Sequence, residues 1–253
     1  MHLKEIQSSP PKGMMKIAFA KMDEAGQAVP EIMHLFRFKK RATDHLVRFT
    51  EEVMRGPSLL SPGIRELIGA FISSRNQCHF CSCAHAPVAA QLLQKELVDE
   101  VLLDFEASRL DSPHKALFRF LAKLAENSAS VTASDITTLK EAGWSEEAIY
   151  DALTVAAMFK FYNTWNNGAG VQQMNAADYL HSGSRLITLG YCMDFSLKGV
   201  LKILWVGRKE IKWADLKELM KIICHRFLGM IKGWSKSAEA PSAPTNSAPV
   251  ASP

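Results

Sequence analysis

Apolar residues recur at intervals of three and four along almost the whole chain, and no run alternates cleanly in twos. A chain written in that period builds helices and hides one stripe of each. The expected fold class is therefore all-α. The punctuation agrees. Ser61-Pro62 reads as an N-cap with proline at the first helical position, opening a helix through Glu66 to about Arg75. Ser112-Pro113 repeats the device, with Ser112 as cap, ahead of Ala116, Leu117, Phe120, Leu121 and Leu124. Thr132 and Asp135 make a capping-box pattern whose helix Gly143 would end. Ser145 with Glu146 and Glu147 then opens a helix through Ile149, Leu153, Ala156 and Phe159 to Asn166. Upstream, Ile32, Leu35, Phe36, Leu46, Phe49 and Val53 mark one or two helices between Pro30 and Arg55.

With 253 residues, 47% of them apolar, the chain can bury a core without disulfide staples, which excludes wholesale disorder. The N-terminal 28 residues read as a leader, flexible from Ser8 to Gly13, and Met14 or Met15 is an alternative start. No secretory signal is evident there, so a cytoplasmic address is expected. A helical domain is expected over 29–180, a basic helical extension over 181–236 and a disordered Ala/Pro/Ser tail over 237–253. Residues 1–180 hold 19 Lys+Arg against 21 Asp+Glu, whereas residues 181–253 hold 11 against 5. The formal charge of +4 is too mild to argue for a nucleic-acid partner. The apolar window from Leu186 to Val206 carries Asp194, Lys198 and Lys202 on one helical stripe, so it reads as amphipathic rather than membrane-spanning. Trp213, Leu216, Met220, Ile223, Phe227, Met230 and Trp234 form a seam with lysines around it. Packing on its own domain is the first expectation for this seam, subunit assembly the second and contact with an anionic membrane surface the third.

Five cysteines are too few for a disulfide scaffold, but three of them fall within residues 78–83. On a helix Cys78, Cys81 and His85 share one face, so two thiols and an imidazole converge. The preceding Ser74-Arg-Asn-Gln77 would break a helix and leave both cysteines in the first turn of the next. A helix amino end favours a thiolate, and an imidazole can take its proton. Glu66 supplies a carboxylate that could orient His85. It shares a face with the small residues Gly69, Ala70 and Ser73, where a second helix, expected to be the following one, can pack closely. The plainer alternative for Glu66 is a surface carboxylate paired with Arg65 or Arg75.

Glu66, Cys78-x-x-Cys81 and His85 at this spacing resemble the motif of the alkylhydroperoxidase D-like branch of the carboxymuconolactone decarboxylase superfamily. Leu60-Ser-Pro-Gly-Ile-Arg-Glu66, Asn76-Gln-Cys-His-Phe-Cys81 and Asn163-Thr-Trp-Asn-Asn-Gly-Ala-Gly-Val171 resemble it as well. The likeness covers roughly residues 29–175 and is nearest to the peroxidase-related subgroup. It implies an all-helical fold, assembly as homotrimers or hexamers, and a peroxidase cycling through an intramolecular disulfide, with a peroxide substrate, a thiol or dithiol reductant and no cofactor. Carried over by position, it implies that Cys81 attacks the peroxide, Cys78 resolves the sulfenic acid, His85 acts as base and Glu66 is its partner. Phe80 stands where the founding enzymes have a second histidine, and His79 points elsewhere. Cys83 and Pro87 also depart from the pattern, Pro87 with an expected kink.

Other chemistries use the same residues. A dithiol-disulfide oxidoreductase would act on a protein or lipoyl disulfide. A zinc-stabilised interaction module would use Cys78, Cys81, Cys83 and His85, a spacing compact for zinc, and no metal ligand is assigned. A lactone decarboxylase has no need of paired cysteines. Cys83, Cys192 and Cys224 read as structural, and His34, His45, His114 and His181 as solvated or capping residues.

Overall fold

The structure, a computed structural model, describes residues 1–192, the side chain of Met14 excepted. The Asp194/Lys198/Lys202 stripe, the Trp213–Trp234 seam, Cys224 and the 237–253 tail lie outside the described residues. Among those described there are eleven α-helices, one 3-10 turn at 128–130 and no strand. In chain order they are α1 (Lys4–Ser8), α2 (Met14–Glu24), α3 (Ile32–Phe38), α4 (Lys40–Arg55), α5 (Pro62–Arg75) and α6 (His79–Leu92). They continue with α7 (Lys95–Asp104), α8 (Ser112–Glu126), α9 (Ala133–Glu141), α10 (Glu146–Ala169) and α11 (Ala176–Leu189). None is long and apolar enough to cross a membrane.

Side-chain caps open α5, α8, α9, α10 and α11. Ser61 Oγ accepts from the Ile64 amide at 3.2 Å, with Pro62 opening α5. Thr132 and Asp135 form the reciprocal capping box of α9, and Gly143, at φ +98°, follows it in the left-handed region. Ser145 caps α10, and Gly170 ends it in the left-handed conformation. At α8 the cap is Asp111, which accepts from the His114 amide at 2.9 Å, so Ser112 already belongs to the helix. Asp and Ser are comparable caps, and the sequence alone leaves the choice open by one residue.

The centre of the body is α5, buried all the way round from Gly63 to Ser73. Leu67, Ile68, Phe71 and Ile72 pack with Leu117, Phe118 and Leu121 of α8 and with Val155, Ala156 and Phe159 of α10. Phe71 meets Phe118 edge-on, with ring centroids 5.0 Å apart. Full burial also encloses two charged residues. Arg65 Nη1 donates to the Val53 and Gly56 carbonyls at 2.9 and 3.0 Å, while its buried Nε has no hydrogen-bond partner; the other charged residue is Glu66. The small face of α5 receives α10: a Cβ on Gly69 would lie 2.4 Å from Phe159 Cζ, and Ser73 Oγ accepts from Asn163. The expected neighbour, α6, packs along α5 more extensively than any other helix and meets it at Glu66 and near Gly63, while α10 occupies the part of the small face at Gly69 and Ser73.

The first 28 residues form α1, α2 and their connections rather than a loose leader. The His2 amide donates to the Ala169 carbonyl at 2.7 Å, Arg37 Nη2 donates to the Ile6 and Gln7 carbonyls, and the Ala28 amide donates to Asp178 Oδ1 at 3.0 Å. At the other end α11 runs through residue 180 and lies on α6, with Gly183 against Val88 and Tyr179 beside Phe80.

Two glycine-to-alanine replacements test this packing in opposite directions. Gly69→Ala should lower stability by about 1–3 kcal/mol, because Phe159 and the helix backbone must shift. At Gly168, in the exposed last turn of α10, a methyl group meets nothing within 4 Å. Gly168→Ala should raise stability by up to about 1 kcal/mol through helix propensity alone. Denaturant titration monitored by circular dichroism checks both.

Candidate active site

Five separate chain segments bring polar groups to the α5–α6 seam. Between the two helices the chain reverses at Gln77, the one non-glycine residue with positive φ (55°) among those described. The Cys78 amide then returns to the Ser73 carbonyl at 2.8 Å. This tight reversal makes Cys78 the N-cap of α6 and places Cys81 in its first turn, as the sequence predicts. Pro87 sits inside α6, which continues past it to Leu92.

Glu66 is completely buried, and no water is needed to account for its charge. Its Oε2 lies 2.7 Å from His85 Nδ1. Its Oε1 accepts from Arg55 Nη2 at 2.5 Å and from the Tyr191 hydroxyl at 2.8 Å. Burial alone would raise the pKa of this carboxyl. The His85 hydrogen bond, the charge of His85 when its ring is protonated, the charge of Arg55 and the Tyr191 hydroxyl together outweigh burial and hold it below its ordinary value. The alternative of a surface carboxylate paired with Arg65 or Arg75 is overturned, since the partner is Arg55 at the end of α4. The imidazole is packed as well as bonded. Phe159 meets it edge-on with ring centroids 4.6 Å apart. With Nδ1 committed to Glu66, Nε2 is the ring nitrogen left for other chemistry.

The two thiols are nearly inaccessible, Cys78 at 1% and Cys81 at 2% exposure. Asn166 Nδ2 donates to Cys81 Sγ at 3.0 Å, while the buried Asn166 Oδ1 has no hydrogen-bond partner. One turn earlier, Asn163 bridges the same region, accepting from Asn76 at 2.9 Å and donating to Ser73 at 2.8 Å. The Cys78 thiol is lowered to about 7. The Cys81 thiol beside it does most of this; burial works the other way, and the Cys81 backbone N–H, the Asn163 amide and the His85 charge add to the lowering. Cys81 is raised, first by its hydrogen bond with Cys78, then by burial and by the Cys78 charge. The first proton thus leaves the dithiol as a pair near neutrality, and the second is retained.

The four residues singled out in the sequence are therefore gathered in two couples, Glu66 with His85 and Cys78 with Cys81. No hydrogen bond joins His85 to either thiol. Arg55, Tyr191, Asn163 and Asn166 were not assigned roles from the sequence, although two asparagines three apart on the apolar face of α10 are a signal that a buried polar site is near. Phe80 is buried beside the Tyr179 ring, and His79 is exposed. Cys83 is half-buried, and burial raises its thiol. Among the described residues Cys78, Cys81, Cys83 and His85 form no group placed to hold a metal ion. Two histidines expected to be solvated or capping have side-chain partners, His34 within its own helix and His114 at the N-cap of α8. His34 accepts from Arg37 Nε at 3.3 Å, and His114 Nδ1 lies 2.6 Å from Asp111.

No protein-family model matches the sequence, and no curated protein matches it. Solved structures do. An uncharacterized peroxidase-related protein from a Silicibacter species superposes with a TM-score of 0.59 at 23% identity, covering 69% of this chain and 91% of that one. A second, from Ralstonia eutropha, described as an alkylhydroperoxidase AhpD core and an uncharacterized peroxidase-related protein, gives 0.58 at 22% identity, covering 70% and 92%. The helical body has the alkylhydroperoxidase D-like fold.

Replacing Glu66 tests the charge balance. Glu66→Ala should cost about 3–5 kcal/mol, because Arg55 is left buried without its anion, and Glu66→Gln should cost less. Since the folded-state pKa is depressed, the stabilisation is complete above the ordinary value of 4.5 and is lost as pH falls through the depressed one. The stability gap between wild type and Glu66→Gln, measured by urea titration, should be full at pH 7 and shrink steadily below pH 4.5.

Proposed function

We propose that this chain is a thiol-dependent peroxidase that reduces hydrogen peroxide or small organic hydroperoxides through Cys78 and Cys81. The observation that carries the reading is a buried dithiol, losing its first proton near neutrality at a helix amino end, beside a buried Glu66–His85 couple. The likeness to peroxidase-related structures supports the same class.

The chemistry divides into two steps. In the first, a thiolate sulfur attacks the distal oxygen of the hydroperoxide; the S–O bond forms, the O–O bond breaks, and the alkoxide leaves as ROH after taking a proton. The product is a sulfenic acid. In the second, the other thiolate attacks that sulfur, hydroxide leaves as water after protonation, and the Cys78–Cys81 disulfide forms. A thiol or dithiol reductant restores the pair by exchange. His85, with Nδ1 held by Glu66, serves as the base that takes the thiol proton and returns it to the leaving oxygen. Asn166 donates to the Cys81 sulfur, and its unpaired Oδ1 suits the O–H of a bound hydroperoxide. Cys81 is the attacking sulfur in this scheme because it receives the Asn166 amide and lies one turn before His85. A cytoplasmic homotrimer or hexamer is part of the same proposal.

A second reading rests on one observation. Cys78 is the more acidic thiol and caps α6, an arrangement suited to attack on a disulfide. In that case a protein or lipoyl disulfide is the substrate and peroxide turnover is slow. Steady-state rates with hydrogen peroxide and with dihydrolipoamide-linked disulfide exchange separate the two.

The cycle itself is tested by thiol counting. One equivalent of hydrogen peroxide should remove two thiols from the wild type. In Cys78→Ser it should leave a sulfenic acid on Cys81 that dimedone traps, whereas Cys81→Ser should yield no adduct on Cys78. Dimedone on Cys78 instead would exchange the two roles, and no thiol loss in the wild type would remove the peroxidase assignment.

A further inference from the structure

The Glu66–His85 couple is completed by a residue from beyond the last described helix. α11 ends at Leu189, and Gly190, at φ +78°, turns the chain back toward α4. There Glu51 Oε2 accepts from two successive backbone amides, Tyr191 at 2.6 Å and Cys192 at 3.0 Å. Glu51 also explains the glycine: a Cβ at residue 190 would come within 2.7 Å of the Glu51 carboxylate oxygens. The turn thus has a dedicated anchor, and what it delivers is the Tyr191 side chain.

That side chain makes three contacts with the site. Its hydroxyl donates to Glu66 Oε1 at 2.8 Å and lies 3.2 Å from His85 Nδ1. Its ring lies nearly parallel to the imidazole, 13° between planes with centroids 6.1 Å apart. Arg55, which pairs with the same Glu66 oxygen, stacks its guanidinium 5.0 Å from the centre of the Tyr191 ring. A phenol used only for packing would not need its oxygen on a buried carboxylate. We propose that Tyr191 is a positioning residue for this site: held by Glu51, it fixes the Glu66 carboxylate and the His85 ring together, so that Nε2 is the base and the ring face is covered.

The inference rests on the peroxidase reading for its kinetic consequence, but not for its geometric one. The charged and titratable groups facing Tyr191 are Glu51 and Arg55 from α4, Glu66 from α5, His85 from α6 and Tyr162 from α10. Burial first, and then the Glu66 charge, hold the phenol well above its ordinary range, so it stays a neutral donor throughout the working pH range. Its contribution is therefore to orientation, and orientation of a base matters only while a thiol proton must still be removed.

Three variants of the full chain, Tyr191→Phe, Tyr191→Ala and Glu51→Ala, each confirmed as folded by circular dichroism, test this with two readouts. The first is the rate of dithiol oxidation by hydrogen peroxide between pH 5.5 and 9. Tyr191→Phe should be slowed about tenfold below pH 7 and converge on the wild type by pH 9, where the thiolate forms without help. The second is carbethoxylation of His85 by diethyl pyrocarbonate, followed by peptide mass spectrometry. Tyr191→Ala and Glu51→Ala should be modified at least about tenfold faster than wild type, and Tyr191→Phe much less so, since its ring remains. A wild-type pH profile in Tyr191→Phe, or a loss equal at every pH, overturns the positioning role while leaving the peroxidase reading intact. If the wild type itself does not react with peroxide, that reading fails, and His85 carbethoxylation alone decides: equal rates in wild type and Tyr191→Ala overturn the inference.

Discussion

A carboxylate without solvent exposure at the centre of an all-helical body dictates much of what surrounds it. An isolated buried charge is costly by several kcal/mol even after relaxation, so Glu66 is tolerable only where donors converge on both oxygens. Three of them do, and each comes from a different segment: Arg55 from the end of α4, His85 from α6, and Tyr191 from the turn after α11. Losing Arg55 would leave the carboxylate without its counter-charge, and losing His85 or Tyr191 would take a donor from one of its oxygens. The carboxylate therefore acts as a joint. It ties the central helix to the helix bearing the thiols, to the end of α4 and to the turn after α11.

The second constraint is the reversal between α5 and α6. A non-glycine residue held at φ 55° is locally unfavourable, and at Gln77 it lets α6 begin one residue later, with Cys78 as its cap. Had the link been shorter, α6 would begin earlier in the chain and the thiols would sit deeper in the helix, away from its unpaired amide groups. The asparagines on α10 complete the arrangement from the other side. Asn163 ties the reversal to α10 through Asn76 and Ser73, and Asn166 reaches the Cys81 sulfur. A dithiol enclosed by neutral donors can carry one negative charge without a cation in direct contact.

The local features were legible in the sequence because they are decided within a few residues. The Ser61 cap, the Thr132/Asp135 box, the break before Cys78 and the convergence of Cys78 and Cys81 all depend on spacings of four or fewer. The pairing of Glu66 with His85, 19 residues apart, was legible only because α5 and α6 are consecutive helices whose faces could be worked out separately. What escaped was set by tertiary packing. Arg55 had no periodicity to mark it as a partner of Glu66. The small face at Gly69 correctly announced a close approach, and α6 does pack along α5 as expected, but at Gly69 itself the place is filled by Phe159 of α10, 90 residues away. The N-terminal 28 residues looked like a leader because they mix charge with an early Pro10-Pro11 pair, yet their backbone amides and carbonyls are taken up by Ala169, Asp178 and Arg37. Tyr191 was invisible for a related reason, since an aromatic beside a glycine at the edge of a basic extension carries no pattern.

The charge balance explains why the two couples belong in one site although no hydrogen bond joins them. Arg55 and ionised Glu66 together are neutral. Releasing a proton from the dithiol to solvent would add a second buried anion near the first, a step that burial penalises. Passing that proton to His85 leaves the total unchanged, because the new imidazolium lies directly against Glu66 Oε2 and within reach of the new thiolate's field. The same transfer run backwards returns the proton when the leaving oxygen needs it. Under the proposed chemistry, then, Glu66 is kept ionised and buried so that a proton can move a short distance without any net charge entering the core.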